Sequence, residues 1–250
     1  MRIPAGCLLV VAATILVLLA AGAFITFRTS RMLRLFETAK SPSSVTADAD
    51  EAIRKLDAYH GKRATDLLVG IAIADRAFVD DRQDLAITLA GERNDPTALA
   101  TLAGLLQPHI ELARREAVAK VLQKGICTTE CVQSILHYEE RLWCCYPDKE
   151  SVLALISDES TRSKIEKEHD EMLTLLDATL VRNGRPTLQV LHDIYGLGSP
   201  DPSAFALHIV SSLNFREACL ALARSKSELD DSSREDSIEG LLEDLRCSGK

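Results

Sequence analysis

The hydrophobic and polar positions divide the chain into one apolar run and a long amphipathic remainder. Residues 8–27 (LLVVAATILVLLAAGAFITF) are twenty consecutive positions without a charged side chain. A helix of about 20 residues spans the roughly 30 Å hydrocarbon core of a bilayer. We therefore predict a transmembrane helix or signal anchor over residues 8–27, after a short N-terminal flank over residues 1–7.

A cleaved signal peptide is the alternative interpretation of this run. Arg2 would supply the charged start of the signal, and Ala21-Gly22-Ala23 has the small-residue spacing of a cleavage site. Against cleavage, the apolar residues continue through Phe27 and stop only at Arg28. A retained anchor is the prediction, and an exported protein that begins at Phe24 is the alternative.

Residues 28–50 are expected to form a juxtamembrane segment and linker. Basic residues follow the apolar run at Arg28, Arg31, Arg34 and Lys40. The positive-inside rule then favours a cytoplasmic body only slightly, because long domains are exported despite a few basic residues. We predict that residues 41–44 (SPSS) end the helix and free the domain from the membrane surface. The side of the membrane that holds residues 28–250 stays open.

From residue 51 onward the apolar residues recur with helical spacing, and the stretch 51–146 repeats weakly against itself. Three helix pairs are predicted, each divided by residues that end a helix: Gly61, Asn94-Asp95-Pro96 and Gly125. One apolar position in each second helix recurs at intervals of 34 and 33 residues: Leu68, Leu102 and Ile135. This interval is the size of a helical hairpin repeat, in which each pair buries its apolar face against its neighbours.

The central pair, residues 82–106 (RQDLAITLAGERNDPTALATLAGLL), resembles a HEAT-like α-helical repeat of the short bacterial kind. In that family a first helix that ends near Gly is followed by Asp-Pro and a Leu-rich second helix. Asp95 is expected to cap the second helix, and Pro96 is tolerated at its first position. A similar Asp-Pro motif occurs at Asp201-Pro202, and residues 183–191 resemble it more weakly. The resemblance implies a stacked hairpin array, and an irregular bundle is the alternative because any bundle reuses such caps.

Residues 147–225 are expected to add further helices to the same domain without the repeat period. Four helices are predicted there: Ser151–Ile156, Arg162–Arg182, Thr187–Tyr195 and Pro202–Ser225.

The last segment, residues 226–250, is predicted to be an acidic tail with a short amphipathic helix. Its Ser-rich acidic start, within SKSELDDSSREDS, is typical of a mobile connector. A narrow apolar stripe follows at Ile238, Leu241, Leu242 and Leu245. Such a stripe belongs either to a helix that caps the domain or to a short docking helix for a partner groove.

Composition changes the picture by excluding classes of protein. Aromatic residues make up 4% of the chain, with 12 Gly and 8 Pro, which disfavours a β-sandwich or barrel. The net charge of −8 argues against general nucleic-acid binding. The predicted fold class is therefore all-α: an N-terminal transmembrane helix followed by an α-solenoid-like hairpin array or an irregular helical bundle.

Four of the seven cysteines cluster with the spacing C-x3-C-x12-C-C: Cys127, Cys131, Cys144 and Cys145. A bridge from Cys131 to Cys144 or from Cys127 to Cys145 needs a turn within residues 133–143. In one straight helix a 13-residue separation places the Cα atoms about 20 Å apart, beyond the roughly 7 Å limit for a disulfide. Buried reduced cysteines and disulfides both stay open, whereas zinc is disfavoured because structural sites prefer C-x2-C pairs or Cys/His ligands.

The run LHDIYGLG, residues 191–198, is similar to the signature of HD-type phosphohydrolases. By that resemblance His192 and Asp193 would be metal ligands, with His169 as the upstream histidine. The run departs from the family at Tyr195 and Gly196, where Gly and Lys are usual. The other interpretation is that these are helix-end histidines and capping aspartates.

Signatures of other catalytic classes, such as Walker A, G-x-S-x-G and H-E-x-x-H, are absent from the sequence. Trp143, the single tryptophan, is expected to be a core residue. We assign no catalytic, cofactor-binding or metal-binding residues.

The function that we expect is a single-pass, membrane-anchored, non-enzymatic protein-interaction module, working as an adaptor, inhibitor or assembly factor. Its acidic surface favours a basic-surfaced protein partner, and no nucleic acid or small-molecule substrate is expected. The alternatives are a metal-dependent HD-like phosphohydrolase on a helical scaffold and an exported helical binding protein with a cleaved signal peptide.

Overall fold

The computed structural model of the chain describes these residues: 5–74, 81–107, 110–145, 158–199, 201–228 and 232–247. The described residues form helices joined by turns, and no strand occurs among them, which confirms the predicted all-α class. The chain divides into two compact units, residues 1–86 (unit 1) and residues 87–250 (unit 2).

Unit 1 is built on one helix of 36 residues, α1 (Ala5–Lys40). The predicted apolar span lies entirely within α1, and the helix continues for 13 residues beyond Phe27. Within the described part of the chain, α1 is the helix that is long and apolar enough to cross a membrane.

Two shorter helices, α2 (Thr46–Asp57) and α3 (Lys62–Ala72), pack against each other and against α1. Their contacts form a small core of apolar side chains that are at most 5% exposed: Met32, Ala39, Ile53, Leu56 and Leu68. Unit 1 is thus a helical hairpin that packs on the second half of α1.

The turn between α1 and α2 is held in place by the buried side chain of Arg82. The Arg82 guanidinium donates hydrogen bonds to the carbonyl oxygens of Ala39 and Ser41, both at 3.0 Å, and of Ser44 at 3.4 Å. The last carbonyls of a helix have no partner within the helix, and Arg82 supplies one. Residues 41–44 end the helix as expected, and these contacts make them an ordered turn; that they free the domain from the membrane surface stays a prediction.

Unit 2 contains most of the remaining helices, and the boundary between the units falls inside α4. The bounds are α4 (Arg82–Glu92), α5 (Pro96–Ala103), α6 (Leu112–Lys124), α7 (Thr129–Cys145), α8 (Glu159–Arg182), α9 (Gly184–Tyr195), α10 (Ala204–Ser212), α11 (Cys219–Glu228) and α12 (Ser232–Asp244). Within unit 2, α5 packs against α6 and α7, α6 lies along α8, and α7 contacts α9.

The three expected helix pairs are present as α2 with α3, α4 with α5, and α6 with α7, with the breaks where the sequence places them. The three periodic positions Leu68, Leu102 and Ile135 are fully buried. The regular stacking that the HEAT-like resemblance implies stays a prediction.

The capping expectation is confirmed at the start of α5 and differs at α10. Asp95 accepts hydrogen bonds from the backbone N–H groups of Thr97 at 2.9 Å and Ala98 at 3.0 Å, as an N-cap does. At the second Asp-Pro, α10 begins two residues after Pro202, and its N-cap is Ser203. Sequence identity over two residues therefore does not set the first residue of the helix.

Two of the predicted later helices are found as α8 and α9, whereas Ser151–Ile156 lies outside the described residues. The single helix expected over Pro202–Ser225 is wrong. It is divided into α10, a 3-10 turn over Arg216–Ala218, and α11. Asn214 in the break has φ 50°, a left-handed conformation that ends a helix.

Helices cover most of the stretch after Ser225 that was expected to be a mobile connector, because α11 continues to Glu228 and α12 begins at Ser232, whereas residues 229–231 lie outside the described residues. Lys226 and Glu239 form an ion pair across the two helices at 3.0 Å. Ile238 is fully buried and Leu245 is 2% exposed, which is the arrangement that the capping interpretation of the apolar stripe describes.

Candidate functional site

From Thr14 onward the side chains of α1 are exposed up to the end of the apolar run and become partly buried after it. Every residue from Thr14 to Phe27 is exposed, including Leu16 and Leu19 at 69% each. From Arg28 onward the helix is partly buried, and Met32 is only 5% exposed. A soluble helix normally shows an apolar stripe on one side, not an apolar surface all round. One uninterrupted helix thus has an exposed apolar segment from Thr14 to Phe27 and a segment after it that packs against α2 and α3.

The α2–α3 loop lies beside the point where this change occurs. Arg28 donates a hydrogen bond from Nη2 to the carbonyl oxygen of His60 at 3.1 Å. Its guanidinium carbon also lies 5.5 Å from the ring centroid of Tyr59, within cation–π range. These contacts fix the loop, residues 58–61, at the same level along α1 as the end of the apolar run.

Unit 2 contains a buried carboxyl group at Glu139 on α7. Its Oε1 atom is buried and has no hydrogen-bond partner. Burial raises the pKa of Glu139 well above its usual value, and the nearby charge of Asp177 on α8 raises it further. Burial also raises the pKa of half-buried Asp177, an effect that His208 opposes. Glu139 therefore stays protonated up to a higher pH than an exposed glutamate does.

Next to Glu139, the side chain of Glu140 connects α7 to α9. The Tyr195 hydroxyl donates a hydrogen bond to Glu140 Oε2 at 3.0 Å, and the Tyr195 ring packs 5.1 Å from the ring of Phe205. Burial raises the pKa of Tyr195 above its ordinary value, and the hydrogen bond to Glu140 adds to the rise. This contact joins two helices rather than opening a cleft.

The residues of the HD-type resemblance form two separate neighbour pairs. His192 Nδ1 lies 2.9 Å from Asp193 Oδ1 on the exposed end of α9, and His169 Nδ1 lies 3.9 Å from Asp170 Oδ1 on α8. Among the residues that the structure describes, no group of three or more His, Cys, Asp or Glu side chains is placed to hold a metal ion.

The cysteines pair differently from the two bridges considered from the sequence. Because α7 is one continuous helix from Thr129 to Cys145, a bridge from Cys131 to Cys144 is out of reach, and the same holds for Cys127 with Cys145. Cys127 is instead paired with Cys131, with the Cα atoms 5.3 Å apart. The side chains of Trp143, Cys144 and Cys145 lie outside the described residues.

A second pair, Cys219 with Cys247, escaped the sequence reasoning. These residues are 28 positions apart, and their Cα atoms lie 5.5 Å from each other. The sequence offered no signal for this pair, because the single helix predicted over Pro202–Ser225 placed Cys219 inside a helix and not at the start of α11. Both cysteines line a shallow groove between α11 and α12, whose lining also includes Leu220, which is 86% exposed.

Comparisons of the chain with protein-family models, curated proteins and solved structures give no match. The fold itself defines the class: an all-α protein with one N-terminal helix that is long and apolar enough to span a membrane.

Proposed function

We propose that the chain is a single-pass, membrane-anchored helical protein that binds other proteins, as an adaptor, inhibitor or assembly factor, and is not an enzyme. The observation that carries this proposal is the division of α1 between Phe27 and Arg28. From Thr14 to Phe27 the helix is apolar and exposed, and after this point it packs against α2 and α3. Lipid would cover the first half and leave the second half to hold the body at the membrane surface.

The exposed half of α1 has the physical properties of a membrane span. The residues from Ile15 to Leu19 are each more than half exposed, and so are Phe24 and Ile25. In lipid a helix satisfies all its backbone hydrogen bonds internally, and its apolar side chains gain by leaving water. Arg28 then stands at the interface, where basic side chains reach the headgroups.

The charge and surface of the body support a protein partner. The chain has 37 acidic against 29 basic residues, so a partner with a basic surface is favoured. Unit 2 also exposes large apolar side chains that a partner would cover: Ile126 at 61%, Ile194 at 50% and Leu220 at 86%. Isolated exposed apolar residues are common, so direct cross-linking is needed to test them.

Charge substitution in the middle of the apolar run tests the anchor. A Val17→Lys/Leu18→Lys variant places two ammonium groups at the centre of the span, each costing about 2.5–3.5 kcal/mol on insertion scales. We expect wild-type protein to stay with membranes after alkaline carbonate extraction and the variant to be released. The matched control is Leu33→Lys/Val45→Lys, which adds the same charge at exposed positions of unit 1 outside the run.

Retention of the Val17→Lys/Leu18→Lys variant in membranes would contradict the anchor. Intact mass of the purified protein separates the alternative: a chain that begins at Phe24 is an exported protein with a cleaved signal peptide. A chain that retains residues 8–27 supports the anchored form.

Site-specific photo-cross-linking in native membranes tests the binding function. A photoreactive amino acid at Ile126, Ile194 or Leu220 should give a discrete higher-mass adduct at one or more positions. The same label at the exposed positions Lys164 and Glu171 of α8 is the control and should give none. Equal, diffuse adducts at all five positions would contradict specific protein binding.

A further inference from the structure

The end of unit 1 nearest the apolar run is formed by three helices. From Arg28 to Lys40, α1 extends 13 residues, about 18 Å at 1.5 Å per residue. The turn at residues 41–45 reverses the chain, and the 12 residues of α2 return over about the same length. The hydrogen bond from Arg28 to His60 shows that the α2–α3 loop reaches the level of Arg28.

The next helix, α3, then runs beside α1 and away from the apolar half. A Cβ atom added at Gly70 would lie 3.3 Å from the ring of Phe36, so the later part of α3 passes the later part of α1. Lys62 and Arg63, which open α3, therefore lie at the end of unit 1 that adjoins the apolar run. Both side chains are exposed.

This end of unit 1 has a charge opposite to that of the chain as a whole. Residues 28–31 and 51–66 together contain six Lys and Arg against three acidic residues, of which Glu51 is paired with Lys55 at 2.5 Å. One of these acids, Asp66, lies 4.0 Å from Lys62, and both side chains are more than 60% exposed. The local excess is positive although the whole chain carries a net charge of −8.

We propose that Arg28, Arg31, Lys62 and Arg63, which we name the basic collar, contact the phosphate groups of anionic phospholipids. The inference rests on the proposed function, because it needs α1 to be anchored in the bilayer. With residues 8–27 in the hydrocarbon core, the collar lies at headgroup depth, continuous with the exposed apolar surface. Basic residues next to a span are attracted to anionic lipid, and Tyr59 is of the aromatic type enriched at this depth.

The consequence is a second attachment of unit 1 to the membrane besides the anchor itself. Lys62 and Arg63 belong to α3 and not to α1, so their binding to headgroups would fix the rotation of unit 1 about the axis of α1. A helix that spans alone leaves this rotation free.

Amide hydrogen exchange of the full chain in lipid nanodiscs tests the collar. We compare discs of phosphatidylcholine with discs that contain about 30% phosphatidylglycerol. Exchange of the amides of residues 58–63 should slow at least about threefold in the anionic discs. Raising the salt from about 0.05 M to about 0.5 M should abolish the difference, because screening shortens to a few ångströms.

The charge variants identify the residues responsible. Lys62→Gln/Arg63→Gln should lose the protection in anionic discs. The matched control Arg34→Gln/Lys40→Gln removes the same charge about 9 Å and about 18 Å further along α1 from Arg28 and should keep it.

Three results would overturn the inference: equal exchange in both disc types, protection that survives in Lys62→Gln/Arg63→Gln, or equal loss in both variants. If the chain inserts into the discs and one of these results is found, the proposed lipid binding of the collar is contradicted and the proposed anchor still holds. A chain that fails to enter discs at all removes the proposed anchor as well, so the two failures are distinguished by co-elution with the discs.

Discussion

At the scale of single residues, some buried polar side chains of unit 2 have hydrogen-bond partners and others contain an atom that lacks one. The Asn183 side chain accepts a hydrogen bond from the Cys127 backbone N–H at 3.0 Å and donates one to the Thr179 carbonyl oxygen at 2.8 Å. Glu139, by contrast, has a buried oxygen without a partner. Burial without a partner favours the neutral form of a carboxyl group, so Glu139 makes stability depend on pH.

Replacement of Glu139 by Gln should make unfolding less sensitive to pH. Below the pKa of the unfolded state, Glu139 is protonated in both states. As the pH rises, the unfolded state ionises first, because the pKa of Glu139 is raised by folding, and stability falls until the pH reaches the folded pKa. Between the unfolded and the folded pKa of Glu139, the wild type should lose up to about 1.4 kcal/mol per pH unit more than Glu139→Gln.

Chemical denaturation at several pH values measures this difference in the free energy of unfolding. The control is Glu140→Gln, which makes the same substitution at the next position and whose amide oxygen still accepts the hydrogen bond from Tyr195; Glu139→Gln should flatten the pH dependence more than this control does. Parallel pH curves for wild type and Glu139→Gln would contradict the assignment.

At the scale of helices, the turn after α1 decides how the anchor connects to the body. The serines and proline of residues 41–44 are what a flexible linker contains, yet the turn is ordered by long-range contacts. Arg82 binds two of its carbonyl oxygens and that of Ala39 in the last turn of α1, and Ser44 Oγ donates to the Thr38 carbonyl oxygen at 2.8 Å. The anchor helix and unit 1 therefore form one body.

Removal of the Arg82 guanidinium should loosen this connection. Arg82→Met leaves buried carbonyls unpaired and should lower the free energy of unfolding by about 2–3 kcal/mol. Arg82→Lys should recover only part of the loss, because one ammonium group lacks the planar fork of donors. Thermal unfolding in detergent gives the stability, and amide exchange of residues 41–45 should accelerate in Arg82→Met.

Arg34→Met is the matched control for Arg82, since it removes an exposed arginine of α1 and should change stability by less than about 0.5 kcal/mol. If Arg82→Met unfolds at the same temperature as the wild type and the amides of residues 41–45 exchange at the same rate in both, the turn is a flexible linker.

At the scale of the whole molecule, the cysteine pairs bear on which side of the membrane holds the body. Disulfides persist in oxidising compartments and are rare in the cytosol. The pairing of Cys127 with Cys131 and of Cys219 with Cys247 favours an oxidising side. The basic flank of α1 favours the opposite side only slightly, because long domains are exported despite such flanks. The basic collar adds to the cytosolic signal, so the cysteine pairs and the basic residues favour opposite sides and labelling decides between them.

Thiol labelling of intact cells with a membrane-impermeant maleimide polymer tests this orientation. A Cys7→Ser/Cys144→Ser/Cys145→Ser background leaves the four paired cysteines. A gel shift in intact cells only after reduction, and a smaller shift when Cys219→Ser/Cys247→Ser is added, would place the body outside the cytosol. Labelling that needs cell lysis but no reductant would instead mean reduced cysteines in a cytoplasmic body.

The sequence by itself determined the features that depend on near neighbours along the chain. The all-α class, the extent of the apolar run and the breaks of the three helix pairs follow from hydrophobic periodicity and from residues that stop helices. The Asp95 cap follows too, because a cap involves only the next three residues. The same local reasoning failed at residues 226–228 and 232–237, where composition suggested a connector and the structure has parts of α11 and α12, which pack together.

Only the tertiary structure decided the contacts between distant parts of the chain. Arg28 meets His60 from 32 positions away, Arg82 reaches Ala39 across 43 positions, and Cys219 pairs with Cys247 across 28. The burial of Glu139 is of the same kind, since its position on α7 says nothing about which helix covers it. Periodicity shows which face of each helix is apolar. Which of these faces pack against each other depends on how all the side chains fit together in the close-packed interior.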